Sequence, residues 1–308
     1  MKKIPIVFSI DHNYVMQAGV CILSLLMNSD EKEYYDIYIL SAADITEHDK
    51  ELLNKTICAY KADINFIEID DRFDNAFEIR NISKAAYFRL LIPDLIPQYD
   101  KIIYSDVDVI FQSGLQEVLD TDLKDNYFGG IKAIGAESIR DYIIQLGLDI
   151  HSYINSGFLL INAKLQREKQ LFDKIQEYLT KKFQFQDQDI INIVCKNRLT
   201  FLPLKYCFTQ KSYELYYTNP KRLFSVFSPK EVEEAFTEGI IHYEGTNKPW
   251  NGFCYRYDNW WRYYKKSVFY SEEMHFQTAY KVKIQYPTWT LKKILRLLRN
   301  FIRGDYKQ

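Results

Sequence analysis

Residues 101–111, KIIYSDVDVIF, set two carboxylates two positions apart at the end of an apolar run. On an extended backbone, side chains two apart project to the same side, so Asp106 and Asp108 should stand together. Like charges so placed repel, and a divalent cation between them offsets the repulsion. A solvated strand-end turn is the plainer reading, and a short acidic motif does not separate the two. His242 and Lys248 share a polar loop with Gly245. Each alone reads as an ordinary structural or solvated residue; together they could offer an imidazole to a metal and an ammonium to a phosphate. Asp187 and Gln188 open a helix, where an aspartate usually caps, although a glutamine between two aspartates is a less ordinary cap. Asn155, before Ser156-Gly157, reads as a turn residue.

These residues need elements to position them. Apolar runs predict strands over residues 4–10, 36–40, 64–69, 101–111, 127–131, 158–162 and 240–243. Helical patterns cover 14–28, 46–60, 83–91, 163–182 and 190–196, the second opening on a Thr46/Asp49 cap. Alternating strands and helices imply an α/β fold with a mostly parallel sheet covered on both faces. Ligands in such sheets bind at the carboxyl ends of the strands, where Asp11, Asp106 and Asp108 fall.

At 308 residues and 47% hydrophobic, the chain can bury a large core. We expect a body over residues 1–265 and an extension over 266–308. The last 28 residues hold eight Lys/Arg and one Asp, a net of +7, which leaves −8 on the other 280. That acidic body argues against nucleic acid as a partner. Cys21, Cys58, Cys195, Cys207 and Cys254 form no Cys-x-x-Cys pair, so reduced thiols in the cytoplasm are expected. The N-terminal apolar run, broken by Pro5 and Asp11, is too short for a signal peptide or a membrane span. No GxGxxG, GxxxxGK[ST] or GxSxG occurs, which sets aside dinucleotide oxidoreductases, P-loop enzymes and α/β hydrolases.

Several motifs then stand in a recognisable order: FSIDHNY from Phe8, AAYFRL from Ala85, IIYSDVDV from Ile102, INSGFLLIN from Ile154, FQDQDIIN from Phe185 and IHYEGTNKPW from Ile241. Over roughly residues 6–264 the sequence resembles the bacterial members of glycosyltransferase family 8, of the lipopolysaccharide α-galactosyl- and α-glucosyltransferase type. The resemblance implies a GT-A fold, a Rossmann-like single mostly parallel mixed sheet, and retaining transfer of galactose or glucose from a UDP-sugar to a glycan or glycolipid acceptor. It matches Asp106, Asp108 and His242 to metal ligands, with Mn2+ favoured and Mg2+ as the alternative. It matches Ser9, Asp11 and Asn13 to nucleoside contacts, and Gly245 and Lys248 to the diphosphate. Arg89 corresponds to a donor-site arginine. Asn155, Ser156, Asp187 and Gln188 correspond to residues around the transferred sugar, Gln188 and Asp187 being the catalytic candidates. Two departures leave the donor open between galactose and glucose: Ile131-Lys132-Ala133 where an aspartate is often found, and Asn81 where a histidine is expected. The alternatives are a UDP-glucosyltransferase acting on a glycoprotein or other cell-wall polymer, and an inactive nucleotide-sugar-binding module.

In the tail, Leu291, Ile294, Leu295, Leu297, Leu298, Phe301 and Ile302 fall on one helical arc. Lys292, Lys293, Arg296, Arg299 and Arg303 take the other. Residues 286–303 are therefore expected to lie on an anionic membrane surface, placing the protein at the inner face of the cell membrane. A terminal helix packed on the body is the plainer alternative.

Overall fold

A computed structural model of the chain describes residues 3–78, 84–134 and 137–302, and the backbone alone for 137–138, 287–290, 292–294 and 296–302. Asn81, Ser83, Arg303 and most side chains of the expected tail arc lie outside the described residues.

Strands β1 (Ile4–Ser9), β2 (Tyr35–Ser41), β3 (Ala62–Glu68) and β4 (Lys101–Ser105) are mutually parallel neighbours in a seven-stranded sheet. β6 (Phe128–Lys132), β7 (Ile154–Asn162) and β8 (Leu199–Phe201) complete it, in the order β3-β2-β1-β4-β7-β6-β8. β7 alone runs antiparallel to its neighbours β4 and β6. The period-two alternation of strands divides their side chains between two cores. Ile4, Ile6, Phe8, Ile37, Ile39, Ile103 and Leu160 enter one. Val7, Tyr38, Leu40, Ile102, Tyr104, Leu159 and Ile161 enter the other. Both faces are apolar because helices cover both. Helix α1 (Val15–Asn28) is buried along most of its length, and α2 (Glu47–Ile57) opens on the expected Thr46/Asp49 capping box.

A second sheet of three short strands, β5 (Val109–Ile110), β10 (Ile241–His242) and β9 (Phe208–Thr209), stands beside the first in the order β5-β10-β9. The strand expected over 240–243 is β10, but nothing in the sequence marks it as part of a separate sheet. Trp260, Trp261 and Tyr264 of helix Tyr257–Tyr264 pack with Ile110, Ile241 and Tyr243 behind these strands. Each large apolar side chain so buried contributes about 2–3 kcal/mol, enough for this cluster to anchor strands of two residues.

Some local expectations change. The helix read over 163–182 breaks at Gln170, whose φ of 47° is left-handed, into Ala163–Glu168 and Leu171–Ile175. Asn155, Ser156 and Gly157 are not a turn: β7 begins at Ile154, where a bulge at Gly130/Ile131 lets Asn155 pair with Ile131. Helices Gln210–Thr218, Pro220–Phe224 and Pro229–Glu238 went unread, although Ser228 and Glu231 form a capping box.

Candidate active site

Asp106 and Asp108 follow β4, and the chain turns at once into β5. Antiparallel pairing sets His242 opposite Val109, and Tyr243 N–H donates to the Asp108 carbonyl at 2.9 Å. Residues more than a hundred positions apart are thus joined by backbone hydrogen bonds. His242 Nε2 lies 3.1 Å from Asp108 Oδ1 and 3.7 Å from Asp106 Oδ2. Ligating atoms of Asp106, Asp108 and His242 all lie within 4.8 Å of one another. The Lys248 ammonium donates to Asp108 and, at 2.6 Å, to the Tyr243 carbonyl. Burial favours a neutral Asp108, but Lys248 and His242 outweigh it and hold the carboxyl well below its usual range. Burial likewise opposes charge on His242, yet Asp108 raises its pKa well above normal.

β7 runs antiparallel to β4, so its first residues reach the same sheet edge. Asp106 N–H donates to the Gly157 carbonyl at 2.8 Å. A Cβ added to Gly157 would lie 2.4 Å from His242 Cε1 and 2.9 Å from Asp106 Oδ2, so a side chain here would crowd two of the three candidate ligands. The residues present fit a divalent cation: two carboxylates and an imidazole around a space that glycine leaves clear.

Arg89 underlies this group. Its guanidinium is buried over the Tyr104 ring, donates to Asp106 Oδ1 at 2.9 Å and to the Ser156 carbonyl at 2.6 Å, and lies 3.2 Å from Asp187 Oδ2. Burial pushes the Asp187 carboxyl up to about 6, with Arg89 pulling it down and Asp106 adding to the rise. Helix Gln186–Val194 is held at its start by Asp189, which accepts from Tyr142, Tyr153 and the Phe185 N–H. The next residue back, Gln188, donates to Tyr153 Oη at 3.1 Å and accepts from the Ser156 N–H at 3.1 Å. Both ends of its amide are therefore oriented.

All of this opens on one cavity of about 1310 Å³. Of the residues singled out in the sequence, Ser9, Asp11, Arg89, Asp106, Asp108, Asn155, Ser156, Gln188, His242, Gly245 and Lys248 line it. Asn13 does not: it is exposed beside the cavity and its N–H donates to Asp11 Oδ1. Asp187 is also absent from the wall, buried behind it against Arg89. Ser9 Oγ is buried without a hydrogen-bond partner among the described residues. The sequence reading missed Tyr14, which lines the cavity edge-on to Trp250, although Tyr14 ends the motif that carried Ser9, Asp11 and Asn13. It also missed Cys207, against His242 Nδ1 at 3.2 Å, which nothing local in the sequence marks.

The family description Glycosyl transferase family 8 matches residues 5–254. A lipopolysaccharide 1,3-galactosyltransferase of Salmonella typhimurium is 28% identical over 261 residues, covering 82% of this chain and 74% of the relative. A lipopolysaccharide 1,2-glucosyltransferase of Escherichia coli is 28% identical over 263 residues, covering 80% and 73%. Among solved structures, the galactosyltransferase LgtC in complex with donor and acceptor sugar analogs is similar with a TM-score of 0.75 at 26% identity, over 88% of this chain and 99% of that one. The seven-stranded sheet is accordingly that of a GT-A fold, and the chain belongs to glycosyl transferase family 8.

Proposed function

We propose that the chain is a metal-dependent retaining hexosyltransferase that moves galactose or glucose from its UDP-sugar to a glycan or glycolipid acceptor such as lipopolysaccharide core. One observation carries this reading: Asp106, Asp108 and His242 converge within 4.8 Å beside Lys248, on the wall of a cavity that Gln188 also lines. Asp106, Asp108 and His242 would hold Mn2+ or Mg2+. Such a cation, when bound, supplies positive charge to the diphosphate oxygens of the donor. Lys248 would add its own charge to the departing UDP, and Gly245 leaves its loop free to approach the diphosphate, with φ at 83° and no atom within 4 Å of an added Cβ. Asp11 would accept from the uracil N–H, Ser9 would offer a hydroxyl that has no partner among the described residues, and Asn13 stands at the rim. Tyr14 with Trp250 presents an aromatic wall suited to a flat base.

For the chemistry, Asp187 is turned away into its pair with Arg89, and Gln188 is a neutral amide with both ends engaged. Neither arrangement favours a covalent nucleophile. We favour same-face attack. The acceptor oxygen bonds to the anomeric carbon as the bond to the UDP oxygen breaks, and the hydroxyl proton passes to the departing phosphate. Gln188, with Asn155 and Ser156, would stabilise the charge that builds on the sugar. The test is a screen of UDP-sugars with Mn2+, following UDP release with and without candidate acceptors. Turnover of one UDP-hexose, abolished by EDTA and restored by Mn2+, is expected; no turnover of any UDP-sugar under these conditions would overturn the reading.

We further propose that the tail brings the protein to an anionic membrane surface at the cytoplasmic face. Among the described residues no helix is long and apolar enough to cross a membrane. The long helix Glu272–Ile302 begins well before the arc read from sequence. Along it Phe276, Tyr280, Ile284, Leu291 and Leu295 are exposed, Phe276 at 74%. Steps of four, four, seven and four residues put them on one stripe, with lysines flanking it in the sequence.

A further inference from the structure

Behind the candidate metal cradle lies a buried thiol that the proposed chemistry does not use. Cys207 immediately precedes β9 and is 2% exposed. Its Sγ lies 3.2 Å from His242 Nδ1 and 3.7 Å from Asn155 Oδ1. The other ring nitrogen, Nε2, faces Asp108 at 3.1 Å and Asp106 at 3.7 Å. Parallel pairing of β9 with β10, Thr209 opposite His242, builds this placement into the backbone.

The direction of each hydrogen bond follows from which partner is able to donate. A backbone N–H only donates, so the Asn155 side-chain atom that Gly157 N–H reaches at 2.8 Å is the carbonyl oxygen. That oxygen only accepts, so it accepts a hydrogen bond from the Cys207 thiol, which keeps its proton. The sulfur lone pair is then what His242 Nδ1 meets, so Nδ1 carries hydrogen and Nε2 is the nitrogen free to ligate. In metal sites the far nitrogen of a ligating histidine usually donates to a carboxylate, a carbonyl or water. A thiol sulfur fills that place here: a weak, neutral acceptor that orients the ring without adding negative charge beside the cradle.

We propose that Cys207 is a positioning residue. The relay Gly157–Asn155–Cys207–His242 fixes the imidazole with Nδ1 protonated and Nε2 toward Asp106 and Asp108, and so sets the affinity for the divalent cation. This rests on the metal reading of Asp106, Asp108 and His242.

The relay is tested without any variant by nitrogen-15 NMR of histidine-labelled wild-type protein with Mg2+ and UDP. His242 should keep hydrogen on Nδ1 and show a coordinated Nε2; hydrogen on Nε2 with Nδ1 coordinated overturns the relay. Mn2+ uptake in the presence of UDP, read from the electron paramagnetic resonance signal of free Mn2+, supplies the second arm. Cys207→Ala should weaken uptake about tenfold or more. Cys207→Ser, whose hydroxyl accepts and donates at once, should recover most of it. Wild-type affinity in Cys207→Ala, or a folded Cys207→Ser as weak as the alanine variant, overturns the relay alone. Failure of the wild-type protein to take up Mn2+ overturns the metal reading and this inference with it.

Discussion

Asp108 is the residue on which most of the site's charge converges, since Lys248 and His242 both turn to it. Asp108→Ala should abolish metal-dependent UDP binding and cut UDP release at least about a hundredfold. Gln188→Ala should instead slow turnover while leaving UDP affinity near wild type. Calorimetric UDP binding beside a UDP-release assay separates the two, and equal loss of binding in both variants would contradict the assigned roles. Asp187 supplies a test by pH. Its folded carboxyl is pushed from 3.8 up to about 6, so the folded state binds the proton more tightly than the unfolded chain. Stability from this group is thus full below its unfolded pKa and is lost as pH rises through about 6. The difference in unfolding free energy between wild type and Asp187→Asn, followed by urea denaturation from pH 4 to 7, should change across that window; a flat difference would show that Arg89 compensates the buried charge fully.

At the scale of elements, the start of β7 matters most, because its antiparallel run returns three site residues to the edge where β4 ends. Gly157→Ala should leave the strand paired and the protein folded, since its φ is not left-handed, yet push a methyl into His242 and Asp106. The expected result is a normal circular dichroism spectrum with loss of Mn2+-dependent UDP binding. The tail helix makes a separate prediction. Phe276→Ser with Tyr280→Ser removes two side chains of the exposed stripe, each worth about 1.5–3 kcal/mol when buried, and should lower co-sedimentation with anionic vesicles while sparing UDP release in solution. Unchanged vesicle binding would assign those residues to another surface.

Across the whole molecule, two cores on opposite faces hold one sheet, and a small sheet backed by tryptophans continues from the carboxyl end of its central strand β4. The cavity lies where the two sheets meet, so a ligand there bridges elements from most of the chain. UDP with Mn2+ should therefore stabilise the fold as a unit, by about 2.7 kcal/mol at a hundredfold excess over the dissociation constant. Differential scanning calorimetry should show one shifted transition in the wild type and no Mn2+-dependent shift in Asp108→Ala. Separate transitions, with only one responding, would mean the sheets unfold independently.

The sequence by itself determined the parallel half of the fold, because β1, β2 and β3 alternate with α1 and α2 and their apolar runs and caps are local signals. Eleven of the residues singled out in the sequence line one cavity, most of them at strand termini or in the loops that follow, while Arg89 and Gln188 reach it from helical segments. What only the tertiary structure decided depends on pairing between distant segments. The antiparallel β7, the bulge that makes Asn155 a strand residue, and the small sheet that carries His242 to Asp108 are set by partners far along the chain. Asp187 shows the same limit. Its place at a helix start was readable, but Arg89, almost a hundred residues earlier, turns it from the cavity into a buried ion pair.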